Sequence, residues 1–308
     1  MSECTGADKT ELYVGLDFPA KESHWEGYRQ ICDYLPTITG FKNVVIIRNE
    51  ENKGAIRNAC DLLDIVHQKY DRYIFSEDDN EFSPNFLDYI NAGLNKYKDN
   101  PRVVAICGYI DPGYSYNCMK RYPFNAYPII GYNAWGVGVW FDKKPVFTTM
   151  ASDKILFSFK TVFKAIRLNQ GIAIHRMMYR KRSNATGDLL WRLYCAFNKK
   201  YCIFPRISKV RNWGFDGSGS NCAALTFYSK MEIDEDKAFE YDDFEIKVYP
   251  EVKKLQKKLY GLSGINLFAF LFEYFLFRIT GGTCLRDIKL IRKIMKLKIN
   301  IKNIRNRR

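Results

Sequence analysis

Histidine is scarce in this chain. The three in 308 residues, His24, His67 and His175, stand apart from one another and from any cysteine at ligand spacing. That scarcity argues against a Cys/His zinc centre and favours packing or surface roles for the imidazoles. The nine cysteines (4, 32, 60, 107, 118, 195, 202, 222 and 284) are odd in number and scattered, with no CxxC pair. A disulfide framework is therefore not indicated, and reduced thiols in a cytosolic protein are expected. The opening stretch MSECTGADKTELYVGLD has no apolar core of the kind a secretory signal peptide needs, so the NAT sequon at Asn184 carries no weight. Long hydrophobic runs are also missing. The longest, INLFAFLFEYFLF (265–277), is interrupted by Glu273 and falls short of the ~20 residues that span a bilayer.

What is present is a globular composition, 47% hydrophobic and 16% aromatic, with a formal charge of +14. Such a charge calls for an anionic partner: nucleic acid, a phospholipid surface or a phosphorylated substrate. Between Arg286 and Arg308 there are ten Lys or Arg and one acid, Asp287, so this tail alone carries +9. Leu285, Ile288, Ile291, Met295 and Ile299 recur there at helical spacing. That is the pattern of a basic amphipathic helix lying at an anionic membrane surface, although a helix packed on the domain with its charges in water has the same pattern.

The first hundred residues alternate short β-branched runs with amphipathic stretches. LYVGL (12–16), NVVII (43–47), YIF (73–75) and VVAIC (103–107) read as strands. KESHWEGYRQICDYL (21–35) and AIRNACDLLDIVHQKY (55–70) read as helices, the second with Ile56, Cys60, Leu63 and Val66 along one face. Ser83 and Pro84 signal the start of a third helix running to about Tyr97. This β-α-β-α-β-α-β order predicts a parallel sheet with covering helices, whose ligands bind beyond the carboxyl ends of the strands. Asp17, RNEENKG (48–54) and SEDD (76–79) all fall at that edge. Beyond residue 108 the Gly- and Trp-rich stretches GYNAWGVGVW (131–140) and VRNWGFDGSGSNC (210–222) suit loops where backbone approaches a ligand.

Glu77, Asp78 and Asp79 gather three carboxylates at the end of a strand. They repel one another unless a cation or an incoming donor offsets the charge, and hard cations such as Mg²⁺ or Mn²⁺ prefer oxygen ligands of this kind. A solvated acidic turn has the same appearance.

The stretch YIFSEDDNEFSPNFLDYI (73–90) resembles the DxD region of inverting, family 2-like glycosyltransferases of the GT-A fold, with bacterial capsule and lipopolysaccharide enzymes nearest. More remotely it is similar to the N-acetylglucosaminyltransferase I family, whose corresponding strand ends in Glu-Asp-Asp. ENKGAIRN (51–58) resembles the Asn-x-Gly…Arg-Asn segment near the nucleotide, one residue shorter here. YVGLD places Asp17 where the family sets an acid against the base. CIFPRISKVRNWGFDGSGSNC (202–222) resembles the acceptor-side segment after the catalytic base, and ATGDLLWRLYCAF (185–197) the helix that carries it.

The resemblance implies a GT-A, Rossmann-like α/β fold with a mixed, mainly parallel sheet and covering helices. It implies Asp79 as ligand of Mn²⁺ or Mg²⁺, Glu77 and Asp78 facing the donor, and Asp17, Asn52 and Arg57 near the nucleotide. Asp188 would be the catalytic base; read alone, it is equally an acid stabilised in the first turn of a helix. Trp135 and Trp213, beside glycines, could stack on an acceptor sugar or simply pack. The expected donor is a nucleotide-sugar, UDP-linked by preference, and the acceptor a saccharide or lipid-linked saccharide in surface polysaccharide synthesis.

The expected organisation is a catalytic domain over 1–260, with a donor half to about 108 and an acceptor half over 109–260. A basic, Phe-rich membrane-associating segment follows over 261–308, on a cytoplasmic protein peripheral to the inner face of the cell membrane. Two departures accompany the likeness. One β-α unit that family members have before ELYVGLD is lacking, which leaves a truncated, inactive GT-A-like protein as an alternative. Asn221 also stands where some relatives have a metal-binding His. A nucleic-acid-binding module is the remaining alternative; no DNA- or RNA-binding motif supports it, and the acids at 77–79 would repel phosphate.

Overall fold

The computed structural model describes residues 1–147, 153–179, 187–214 and 231–281. Two compact units divide the chain: Met1–Val146 with Tyr194–Gln256, and Phe147–Leu193 with the chain from Lys257 onward. The first unit is therefore built from two stretches separated in sequence by part of the second. Residues 147–193, assigned above to an acceptor half, cluster with the chain from Lys257 onward.

In the first unit, β1 (Glu11–Leu16) and β2 (Asn43–Arg48) form a parallel pair in register from Glu11↔Asn43 to Leu16↔Arg48. Helix α1 (Trp25–Tyr34) connects them, and α2 (Gly54–His67) follows β2. A Cβ on Gly15 would sit 3.1 Å from Asn58 Oδ1 and 3.3 Å from Leu62 Cδ2, so the missing side chain lets α2 close on β1. Asn58 Nδ2 then donates to Gly15 O at 2.9 Å. This contact turns the helix away from the expected face: Ile56 and Cys60 are exposed, and Asn58, Leu62, Leu63 and Val66 are turned inward.

A five-stranded sheet has the order β3 (Arg72–Phe75), β7 (Val137–Trp140), β5 (Val103–Cys107), β8 (Tyr201–Pro205) and β6 (Ala126–Ile129). Strand β7 is antiparallel to both β3 and β5, β5 and β8 are parallel, and β6 is antiparallel to β8. Three strands thus share one direction, giving a mixed sheet with covering helices. Strands β3 and β5, consecutive in the sequence reading, are separated by β7, which comes from the glycine-rich stretch read as loop. Every residue of β5, β6 and β7 is buried, as strands covered on both faces must be.

Helix α3 (Phe86–Lys96) lies on this sheet and buries Phe86, Leu87, Tyr89, Ile90 and Leu94. It approaches so closely that a Cβ on Gly138 would meet Ile90 Cγ2 at 2.5 Å. Its start is two residues later than Ser83-Pro84 suggests, because Asn80–Phe82 is drawn off into a short strand, β4. An extended aromatic segment crosses α3: Phe239 N–H donates to Asp88 Oδ2 at 2.7 Å, and the Tyr241 hydroxyl donates to Tyr89 O at 3.1 Å. Strand β4 pairs antiparallel with β9 (Val210–Asn212) through Asn80↔Asn212, Glu81↔Arg211 and Phe82↔Val210. Helix α4 (Pro112–Met119) follows β5 in this unit.

The second unit is helical. It contains α5 (Asp153–Leu156), α6 (Phe159–Arg167), α7 (Gly171–Tyr179), the start of α8 (Gly187–Asn198), the end of α9 (Pro250–Tyr260) and α10 (Gly264–Thr280). Ser158 caps α6 by accepting from Thr161 N at 3.3 Å. Buried Glu273 of α10 pairs with His175 of α7 at 2.8 Å, and the Tyr274 hydroxyl donates to Phe157 O at 2.8 Å. These two contacts tie α10 to residues 147–193, which is why that stretch groups with the C-terminal segment. The basic tail from residue 282, the Gly-x-Ser pattern with Asn221, and Asn184 lie outside the described residues.

Candidate active site

Strand β3 ends at Phe75, and the next four residues make a turn before β4. Asn80 Nδ2 donates to Ser76 Oγ at 2.9 Å across it, which leaves Glu77 and Asp78 exposed. Asp79 is half-buried and held by residues distant in sequence. Asn212 Nδ2 donates to Asp79 Oδ1 at 2.7 Å, and Trp213 N–H donates to the Asp79 carbonyl at 2.8 Å. Asn212 is 1% exposed and its amide is fully engaged: it also donates to Asn80 Oδ1 at 3.0 Å and accepts from Gly214 N at 3.0 Å. A Cβ on Gly214 would overlap Asp79 Oδ2, so the carboxylate lies in a cradle that only glycine leaves open.

Beside it Trp213 is 49% exposed, yet braced. Its Nε1 donates to Glu81 Oε2 at 2.9 Å, and Arg211 Nη1 donates to the same oxygen at 3.0 Å. The Arg211 guanidinium lies 5.8 Å from the indole centroid. A flat aromatic face is thereby fixed next to Asp79, one residue along the strand from Asn212. The carboxyl end of β5 joins this region: Lys209 N donates to Gly108 O at 2.8 Å, and Gly108 N donates to Gly136 O at 2.7 Å. Gly136, at φ 66°, is in the left-handed region that favours glycine. It follows Trp135, which is half-buried and packs edge-on against Tyr109 at 4.7 Å. Beneath β9, Lys209 is buried in an ion pair with Asp234, and its ammonium lies 4.5 Å from the Phe239 ring.

Asp17, at the end of β1, is engaged otherwise. Its carboxylate accepts from the backbone N–H of Phe18 (3.0 Å), Lys53 (2.9 Å) and Gly54 (2.7 Å), and from the side chains of Asn49 (3.1 Å) and Asn52 (3.2 Å). Burial raises its pKa, but these hydrogen bonds outweigh it and hold the carboxyl below its usual range. Asp17 thus caps the start of α2, where free N–H groups and the helix dipole favour an anion. Asn52 Nδ2 reaches Phe18 O as well, at 2.6 Å, so both residues shape the 49–54 loop. Arg57 is exposed and lies 3.7 Å from Glu51.

Asp17, Asn52, Arg57, Glu77, Asp78, Asp79, Trp135 and Trp213 all belong to the first unit; Asp188, in the first turn of α8, belongs to the second. Among the described residues no three His, Cys, Asp or Glu side chains gather to hold a metal. The acids at 77–79 nevertheless fit a cation of the Mg²⁺ or Mn²⁺ type. Their donors are all carboxylate oxygens, and such ions are commonly held by one or two carboxylates together with substrate phosphates. Asn212 and Arg211 went unnoticed in the sequence, because what gives them a role is the β4–β9 pairing.

The sequence matches no protein-family model and no curated protein. The site therefore stands on its own geometry and on the likeness of its motifs.

Proposed function

We propose that the chain is a metal-dependent inverting glycosyltransferase that moves a sugar from a nucleotide-sugar, UDP-linked by preference, to a saccharide or lipid-linked saccharide acceptor. The observation that carries this reading is the cradle at the end of β3, with Asp79 held by Asn212 against Gly214 and the braced face of Trp213 beside it.

In this reading Asp79 holds Mn²⁺ or Mg²⁺, whose contribution when bound is to stabilise negative charge on the donor's diphosphate. Glu77 and Asp78, exposed at the same turn, face the donor's ribose and sugar hydroxyls as acceptors of hydrogen bonds. Trp213 and Trp135 offer aromatic faces to the acceptor sugar. The transfer needs a carboxylate to take the proton of the acceptor hydroxyl as its oxygen bonds to the anomeric carbon, and Asp188 is the candidate supplied by the resemblance to the family's base-bearing helix. The bond to the diphosphate oxygen breaks on the opposite face, and the leaving group takes the electron pair, so the configuration inverts. Asp17 and Asn52 act by fixing the 49–54 loop beside the nucleotide, with Arg57 supplying positive charge.

A second reading, a GT-A-like protein that binds a donor without transferring it, draws on the engagement of Asp17. Its carboxylate already accepts five protein N–H groups rather than presenting itself to a base.

Thermal stabilisation by UDP, GDP and dTDP, each with and without Mn²⁺, tests both, on the native chain and on Asp79→Asn. A metal-dependent shift with one nucleotide, absent in the variant, supports a donor site at Asp79 and names its base, since a ligand of the folded state stabilises it. Hydrolysis of the matching nucleotide-sugar, abolished in Asp188→Asn, then separates the enzyme from the binding protein. No shift with any nucleotide removes both readings.

A further inference from the structure

Within the second unit, α10 buries one face and leaves the other bare. Phe270, Glu273 and Tyr274 are buried, while Ile265, Phe268, Phe272, Phe275 and Ile279 are exposed, Ile265 at 85% and Phe268 at 76%. The exposed five follow a 3-4-3-4 spacing. At 3.6 residues per turn they fall within an arc of about 80°, and none of the five is charged. The only acid of the helix, Glu273, is on the other side, paired with His175.

The apolar face continues onto α6. Phe159 is exposed, stacks edge-on against Tyr274 at 5.6 Å, and carries the Arg278 guanidinium 5.2 Å from its ring. Phe163, one turn further, is exposed as well. Cations stand on the same two helices, Lys160, Lys164 and Arg167 on α6 and Arg278 on α10, and the sequence after α10 adds ten Lys or Arg against Asp287 alone from residue 286 onward. Exposed Phe and Ile flanked by an excess of Lys and Arg match the acyl-chain boundary and the phosphate layer of an anionic bilayer together.

We propose that the Ile265–Ile279 face of α10, with Phe159 and Phe163, docks on an anionic lipid surface, the helix lying in the plane of the interface. Crossing is disfavoured by length and by charge. Seventeen residues extend about 25 Å against about 30 Å of hydrocarbon, and crossing would draw the Glu273–His175 pair into lipid. Among the described residues no single helix is long and apolar enough to cross, although α9 and α10, bent by 47°, reach that composition together. The inference does not depend on the chemistry at Asp79.

The test uses the full chain, floated with vesicles of phosphatidylcholine alone or of phosphatidylcholine with phosphatidylglycerol. Flotation is expected with the anionic vesicles, reduced about tenfold or more in Phe268→Ser/Phe275→Ser, whose circular dichroism stays native because both side chains are exposed. In Phe272→Trp, the indole emission is expected to shift to the blue on those vesicles, with stronger quenching by lipids brominated near the glycerol than near the chain end. Flotation with no emission change would overturn the proposal, since the basic tail alone would then hold the chain. Stronger quenching from the chain end would also overturn it, in favour of a spanning helix. So would a dimer in solution that the double variant splits while vesicle binding persists, because a second copy would then cover the face.

Discussion

Asn212 Nδ2 donates to Asp79 Oδ1 at 2.7 Å across 133 residues of sequence, and the amide that does so is buried. An Asp at position 212 would keep the shape, remove the donor and set a second negative charge against Asp79. Asn212→Asp is expected to lose about 1–3 kcal/mol of stability, the cost of an unmade buried hydrogen bond. The Mn²⁺ needed for half-maximal nucleotide stabilisation should rise severalfold. Urea denaturation and a metal titration followed by thermal shift check the two.

Gly214 and Gly27 make a contrasting pair. Space beside Gly214 is filled by Asp79 Oδ2, whereas nothing lies within 4 Å of a Cβ on Gly27 in α1. Gly214→Ala is therefore expected to displace the carboxylate, costing about 1–3 kcal/mol and the metal-dependent nucleotide shift with it.

Gly27→Ala is expected to do the reverse. It removes backbone entropy from the unfolded chain at a helical position and should stabilise by about 0.5 kcal/mol, read as a higher urea midpoint with ligand response unchanged.

Acid should loosen the β1–β2 layer. Glu11, at the start of β1, is held down to about 2 chiefly by its hydrogen bond to Lys69, and Asp17 is held below its usual range as described. Folded values below the unfolded ones mean that stability from both is complete above the ordinary carboxylate range, near pH 4, and is lost as pH falls through the folded values. Asp17→Asn should lower stability at neutral pH by about 1 kcal/mol, as loss of a helix cap does. It should also flatten the acid limb of a plot of urea midpoint against pH.

The Lys209–Asp234 pair beneath β9 is a fourth determinant. Desolvation lowers the Lys209 pKa, so its charge is tolerated there because Asp234 faces it. Asp234→Ala leaves that charge unpaired and is expected to cost about 3–5 kcal/mol. Lys209→Met/Asp234→Ala should recover most of the loss, and a double-mutant cycle by denaturation reads the difference.

Much of the framework over residues 1–107 was legible because its signals are local. The β-branched runs at 43–47 and 103–107 became β2 and β5, and YIF became most of β3. What was not legible depends on partners far along the chain. GYNAWGVGVW has the glycines of a loop, yet Val137–Trp140 is a central strand, because Gly138 is where α3 presses on the sheet. The acidic cluster was found by its repulsion, whereas Asn212 looked like any loop asparagine until β9 aligned with β4. Asp17 was recognised by position alone; its five donors come from a loop that gave no sign of turning towards it.

The order of the strands has a consequence for the chain as it is being made. Strand β8, which separates β5 from β6, and β9, which carries Asn212, are both encoded after residues 147–193. At about 5–20 residues per second of synthesis, the 133 residues between Asp79 and Asn212 take roughly 7–27 s to emerge. During that interval the edges of β5 and β6 that later pair with β8 are open, and the three carboxylates repel one another with nothing from β9 beside them. The nascent chain thus has its acids early and their clamp late, and Asp79 is secured only once the ribosome has passed the inserted helices.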